Sequence, residues 1–237
     1  MVIGIIVFMV AIYIGIFFWW KMKRNQSKAA FDKLDMRQEA GKALHYQDEL
    51  LNRQYAFIKK QMNGTPIEAF TVAKLEYTTK DQAKDIAKDA LKSIATLGMV
   101  KFQTVQTPKY LVLSGDELHL LDTDTDGEIS KHLIFDRSRL QHSMITELPV
   151  AKSTFAQAQY GNYVLKSYMI ALETEGKTAN ILTYSGIVDA PGGTAGMANA
   201  LSNNTDMQVK QFVVGNYFLK KLGEKAPNLK VENYLPA

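Results

Sequence analysis

Hydrophobic residues fill the start of the chain without a break, and only later do they alternate with polar residues. No charged residue occurs from Val2 to Trp20. A helix of this length is about 28 Å long, close to the ~30 Å hydrocarbon core of a bilayer. A basic cluster follows directly, formed by Lys21, Lys23, Arg24 and Lys28. The pattern predicts a transmembrane anchor over residues 1–24, with residues 2–20 spanning the membrane.

The basic cluster also predicts the orientation of the chain, because positive residues stay on the cytoplasmic side of a membrane helix. We expect a single-pass protein of the plasma (inner) membrane with a cytoplasmic C-terminal domain. The chain carries 28 Lys and Arg against 24 Asp and Glu, a net charge of +4. The four basic residues of the cluster account for that excess, so the remainder is balanced. A balanced domain lacks the basic footprint of a nucleic-acid-binding protein.

Residues 25–62 predict a helical juxtamembrane stalk, since they are rich in Lys, Gln, Glu, Ala and Leu and contain no proline. Leu44, Leu51 and Ile58 recur every seven residues, which is the spacing of a coiled coil. Tyr55 and Met62 hold the intervening register; extended backwards, the two registers meet Arg37, Gly41 and Asp48, which a coiled-coil seam disfavours. Two interpretations stay open: a stalk that packs on its own domain, and a stalk through which the chain associates with itself.

The next segment, residues 63–98, predicts a helical extension packed on the domain. Asn63, Gly64 and Pro66 end the stalk helix. Residues 67–77 fit either a strand or a helix. Thr79 then begins a capping-box pattern followed by apolar residues at helical spacing.

From residue 99 the period changes to that of strands. Short runs rich in Val, Ile, Leu, Tyr and Phe are separated by polar or glycine-containing turns; they are VKFQTV, YLVLSG, ELHLLD, ISKHLIF, YVLKSYMIALET and ANILTYSGIV. Their short connections predict an antiparallel meander. A last helix begins at Thr205, is apolar over most of its girth and ends at Gly223, so we expect it to be buried. The predicted domain covers residues 99–225, and residues 226–237 form a tail.

The stretch YLVLSGDELHLLDTDTDGEISKHLIF followed later by TDMQVKQFVVGNYFLKKLGEK resembles the bacterial pleckstrin-homology-like and GRAM-like domains. The resemblance covers roughly residues 99–222 and rests on the order of strands, turns and closing helix. It implies an α+β fold in which an antiparallel β-meander forms a barrel closed by the C-terminal helix. It also implies a binding or scaffold module. Only Lys101 and Lys109 flank the segment where phosphoinositide-binding members carry a basic cluster.

The run LDTDTDGEIS contains a candidate metal site. Asp122, Asp124, Asp126 and Gly127 fall at positions one, three, five and six of an EF-hand calcium loop. The twelfth position, which normally supplies a bidentate glutamate, is Leu133. The same residues also suit the tip of a β-hairpin. The sequence favours the hairpin tip and leaves a calcium loop as the alternative.

Catalytic motifs are missing from the sequence. There is no cysteine, no G-x-S-x-G and no H-E-x-x-H. His119 and His132 lie on neighbouring predicted strands, where they are placed to meet, and with Asp122 they suggest a second metal site; exposed or hydrogen-bonded histidines are the simpler interpretation. We therefore predict a membrane-anchored, non-catalytic adaptor that binds a protein partner and needs no cofactor. The alternatives are a calcium-responsive module and an enzyme whose catalytic residues are scattered along the chain.

Overall fold

The computed structural model of the chain describes residues 33–75, 107–124, 127–149, 165–174, 177–188 and 205–232, with isolated positions at 14, 15, 17, 18, 22 and 29. The helix predicted after Thr79 and the strand predicted at VKFQTV lie outside the described residues.

Three helices lie between residue 33 and the first strand: α1 (Met36–Gly41), α2 (Ala43–Asn52) and α3 (Ala56–Met62). The side chain of Asp35 caps α1 by accepting a hydrogen bond of 3.0 Å from the N–H of Arg37. Asn63 ends α3 in the left-handed conformation, with φ of 44°. Helices thus occupy most of residues 36–62, with breaks after α1 and α2.

Seven strands form one antiparallel sheet. They are β1 (Ala69–Leu75), β2 (Lys109–Ser114), β3 (Glu117–Thr123), β4 (Ile129–Phe135), β5 (Met144–Leu148), β6 (Ser167–Thr174) and β7 (Lys177–Tyr184). Their order is β4-β3-β2-β1-β7-β6-β5. The α+β class and the antiparallel pairing agree with the prediction, but the predicted closed barrel is wrong, and the strands do not form a single meander because β1 lies beside β7. Among the described strands β4 and β5 do not pair with each other, so the sheet that they form is open, with β4 and β5 at its two edges.

The centre of the sheet is a strand that the sequence left ambiguous. β1 pairs with β2 on one side, placing Phe70 opposite Val112, and with β7 on the other, placing Ala73 opposite Thr183. The sheet therefore begins at Ala69, inside the segment expected to be a helical extension. The physical reason is that β2 and β7 provide hydrogen-bond partners for the backbone of this short apolar run. The periodicity of the run itself does not reveal those partners.

A short helix and a long one complete the fold: α4 (Arg137–Gln141) lies between β4 and β5, and α5 (Thr205–Lys225) follows β7. A 3₁₀ turn (Pro227–Leu229) comes after α5, and Leu229 in it is fully buried. As predicted, α5 is largely buried; Phe212, Val213, Phe218 and Leu222 are each 0% exposed.

The core consists of two apolar clusters that contain residues from opposite faces of the sheet, because neighbouring residues of a strand alternate in direction. Phe70 and Val72 of β1 belong to the cluster formed with α1–α3 and the first half of α5. Ala69 and Ala73 belong to the cluster formed with the second half of α5. The predicted stalk residues 36–62 thus pack on their own domain. The prediction of self-association stays a prediction.

No helix in the described part of the chain is long and apolar enough to cross a membrane. A span needs about 20 consecutive apolar residues in one helix, and the described helices hold no such run. This finding contradicts the prediction of a single-pass protein of the inner membrane with a cytoplasmic C-terminal domain. Of residues 2–20, only Ile14, Gly15, Phe17 and Phe18 are among the described residues.

Candidate functional site: an exposed edge strand and a histidine pair

Asp122, the first aspartate of the predicted calcium loop, forms an ion pair within the sheet. It lies in β3 directly across from Lys109 of β2, and the Lys109 ammonium donates to its carboxylate. The Lys109 side chain is only 8% exposed. A buried ammonium needs a charged partner, so Asp122 is required by the sheet itself.

Asp124 takes part in the turn between β3 and β4. Its backbone N–H donates to the carbonyl of Glu128 at 2.8 Å, and its carboxylate accepts from the N–H of Glu128 at 2.9 Å. Gly127 completes this turn with φ of 84°. Both contacts are those of a hairpin tip. Asp126 lies outside the described residues, so the calcium site of Asp122, Asp124 and Asp126 stays a prediction.

The two strand histidines do meet. Nδ1 of His119 and Nε2 of His132 are 2.8 Å apart, and the ring centroids are separated by 5.0 Å. His119 is only 4% exposed, while His132, on edge strand β4, is partly exposed. Asp122 is not part of this pair, because residues three apart in a strand point to opposite faces.

The outer nitrogen of each ring faces a further polar group. Nε2 of His119 lies 3.4 Å from a carboxylate oxygen of Glu117, although this contact lacks hydrogen-bond alignment. Nδ1 of His132 lies 3.5 Å from the side-chain amide of Gln61, at the end of α3. The histidines therefore connect β3, β4 and α3.

Both imidazoles favour the neutral form. Burial lowers the pKa of His119, and the neighbouring His132 lowers it further, while Glu117 acts in the opposite direction. Burial also lowers the pKa of His132. Neutral rings retain lone pairs that can accept a proton or bind a metal ion.

Edge strand β4 exposes apolar side chains. It pairs with β3, and no described strand pairs with its other side. Leu133 and Ile134 are each 44% exposed, and as neighbours in a strand they point to opposite faces. Lys131 lies on the same face as Leu133, and His132 on the same face as Ile134. Unpaired backbone groups beside exposed apolar side chains are typical of a strand-pairing surface.

A polar groove lies on another part of the surface. Its eight lining residues include Asp116, Arg137 and Lys225, but no serine, threonine, cysteine or histidine. Lys225 is already bound, by a carboxylate oxygen of Glu68 at 2.8 Å and by the carbonyl of Gly115. The groove therefore offers no hydroxyl, thiol or imidazole for catalysis.

Sequence reasoning found the histidine contact but missed the exposed edge. Leu133 was considered only as a missing calcium ligand, and Gln61 and Glu117 were not singled out. The order of strands in the sheet decides which strand lies at the edge, and the sequence does not state that order. One signal was present: Lys131 lies within this strand, and lysine is common on edge strands.

Comparison with protein-family models, with curated proteins and with solved structures finds no match to this chain. The resemblance to pleckstrin-homology-like domains therefore stays a prediction from the sequence, and the open sheet departs from the closed barrel that it implied.

Proposed function

We propose that the protein is a non-catalytic adaptor that binds an extended segment of a partner protein along edge strand β4. The observation that carries this proposal is the exposure of Leu133 and Ile134 on a strand that pairs with a described strand on one side only. An extended peptide that adds to a sheet edge gains main-chain hydrogen bonds, and pockets for alternate side chains provide specificity.

The side chains of β4 indicate what such a segment contains. A partner strand places apolar residues beside Leu133 on one face and beside Ile134 on the other. Lys131 is exposed on the face of Leu133, so a carboxylate opposite it adds a favourable cross-strand pair. The expected partner segment is thus a strand that alternates apolar and polar residues and carries one acidic residue.

Site-specific photocrosslinking tests the adaptor proposal. A benzophenone amino acid replaces Leu133 or Ile134 in the full chain, and cells are irradiated. We expect discrete adducts with a partner protein from both positions. The matched control is Leu44, an exposed leucine on helix α2 that is 59% exposed, from which we expect no such adduct.

A second variant separates strand pairing from chance contact. With the photoreactive residue at Lys131, the double substitution Leu133→Ser and Ile134→Ser is expected to reduce the adduct about tenfold, because the apolar contacts are lost. Equal adducts from Leu44 and Leu133, or an undiminished adduct in the double variant, contradict the proposal.

A further inference from the structure

The inner nitrogens of the His119–His132 pair lie so close together that a hydrogen or a cation must separate them. Nδ1 of His119 and Nε2 of His132 face each other at 2.8 Å. In neutral imidazole only one nitrogen carries a hydrogen. The nature of the contact therefore depends on where each ring keeps its hydrogen.

The outer neighbours are compatible with a hydrogen on both outer nitrogens. The Glu117 carboxylate, 3.4 Å from Nε2 of His119, can only accept. The Gln61 amide lies 3.5 Å from Nδ1 of His132, and with its oxygen turned to the ring it accepts as well, since the two amide orientations are equivalent in shape. With both outer nitrogens protonated, two lone pairs converge on the space between the rings.

We propose that His119 and His132 form a binding site for a divalent transition-metal ion that prefers imidazole ligands, Zn²⁺ above all. Metal-binding histidines typically donate their other N–H to a carboxylate or carbonyl oxygen; Glu117 and Gln61 are the groups beside the outer nitrogens, and the Glu117 carboxylate takes this role once it turns into hydrogen-bond alignment. In the described part of the chain, no group of three or more His, Cys, Asp or Glu side chains is arranged to hold a metal ion. Water molecules therefore complete the coordination of a metal held by the two rings.

The required adjustment of the rings is small. Two nitrogens bound to tetrahedral zinc at about 2.0–2.1 Å are about 3.3 Å apart, so the rings separate by about half an ångström from their present distance of 2.8 Å. His132 lies on β4, which a neighbouring described strand holds on one side, and its partial exposure opens a path for the ion. This proposal is independent of the adaptor function.

Calorimetric titration of the chelator-treated full chain with ZnCl₂ tests the site. We expect one equivalent of Zn²⁺ to bind with micromolar affinity, and His132→Gln to weaken binding at least tenfold. His45→Gln is the matched control, because His45 is exposed and lies on α2; its zinc affinity should equal that of the parent. Circular dichroism of each variant verifies that the fold is retained.

Glu117→Gln provides a second test that leaves both rings in place. Loss of an outer carboxylate partner typically weakens metal binding 10- to 100-fold, and the Glu117 side chain is 49% exposed, so the fold tolerates the change. Two results overturn the proposal: no zinc binding below 1 mM in the parent, or equal zinc affinity in the parent and in His132→Gln. Either result identifies the pair as two neutral rings that share one hydrogen.

Discussion

The centre and one edge of the sheet are built from similar apolar residues but meet opposite surroundings. In β1, Phe70 is 0% and Val72 2% exposed, because helices of the same chain cover them. In β4, Leu133 and Ile134 are each 44% exposed. The apolar side chains of a strand show that another element can pack on it. The tertiary structure decides whether that element belongs to the same chain. The centre therefore governs stability, and the edge is available for binding.

The largest expected effect lies at the centre. Phe218 of α5 is 0% exposed, and Phe218→Ala leaves a cavity that lowers the free energy of unfolding by about 3–5 kcal/mol. The control Leu44→Ala removes a side chain that is 59% exposed and should change stability by less than about 0.5 kcal/mol. Urea denaturation followed by circular dichroism measures both. Equal losses would show that α5 is not the core helix described above.

Gly215→Ala should give the next largest effect. We expect a loss of stability, whereas helix propensity alone predicts a gain. Alanine normally stabilises a helix relative to glycine by about 1 kcal/mol. A Cβ at Gly215, however, would lie 2.5 Å from the Cα of Gly186, which is backbone. We expect a net loss of about 1–3 kcal/mol, typical of overpacking.

Gly41 is the matched control for this substitution, because no heavy atom lies within 4 Å of a Cβ built there. Gly41→Ala should leave stability unchanged or raise it by up to about 1 kcal/mol. Thermal unfolding of the two variants in parallel decides the matter. A stabilised Gly215→Ala protein would mean that α5 does not approach the end of β7 this closely.

Much of this centre was predictable. The burial of α5 followed from apolar residues over most of its girth, and β2, β3 and β4 followed from runs bounded by turn residues such as Gly115, which adopts φ of 54°. The place of β1 was not predictable, because its partners β2 and β7 lie far along the chain. The open sheet was not predictable either, because closure depends on strand geometry that periodicity does not encode.

The candidate site likewise has a part that the sequence predicts and a part that it does not. The hairpin between β3 and β4 brings His119 to His132, and strand alternation separates both from Asp122; these relations follow from local sequence. The exposure of Leu133 and Ile134 depends on β4 being the outermost strand, which is a property of the whole sheet. Gln61 reaches His132 from a helix 71 residues away in sequence, a contact that no local pattern signals.

A smaller effect, with a defined pH dependence, is expected in the helices that cover the centre. Glu39 of α1 is 7% exposed and accepts hydrogen bonds from the Tyr46 hydroxyl and from Lys42. Burial raises the pKa of this carboxyl, but the bonds from Lys42 and Tyr46 outweigh it, so that the pKa lies below the ordinary 4.5. As pH falls below 4.5, the unfolded chain binds the proton first, and stability is lost.

Tyr46→Phe removes one of these bonds and should cost about 1 kcal/mol at neutral pH. Because the pKa of Glu39 then moves back towards its ordinary value, the variant should lose less further stability than the parent between pH 5 and about pH 3. Tyr217→Phe, on α5, is the control and should keep the pH dependence of the parent. If stability falls equally with pH in Tyr46→Phe and in the parent, the Tyr46–Glu39 hydrogen bond does not set the pKa of Glu39.

The smallest expected effect returns to the edge. Leu133 is already 44% exposed in the folded chain, so Leu133→Ser removes little buried apolar surface and should lower the free energy of unfolding by less than about 1 kcal/mol. In the proposed complex Leu133 contacts the partner, so Leu133→Ser should weaken binding while the fold persists. Denaturation and photocrosslinking of the same variant test the two halves separately. A loss of stability above about 2 kcal/mol would place Leu133 in the core and remove the distinction between centre and edge, because the residue would then serve folding and not recognition.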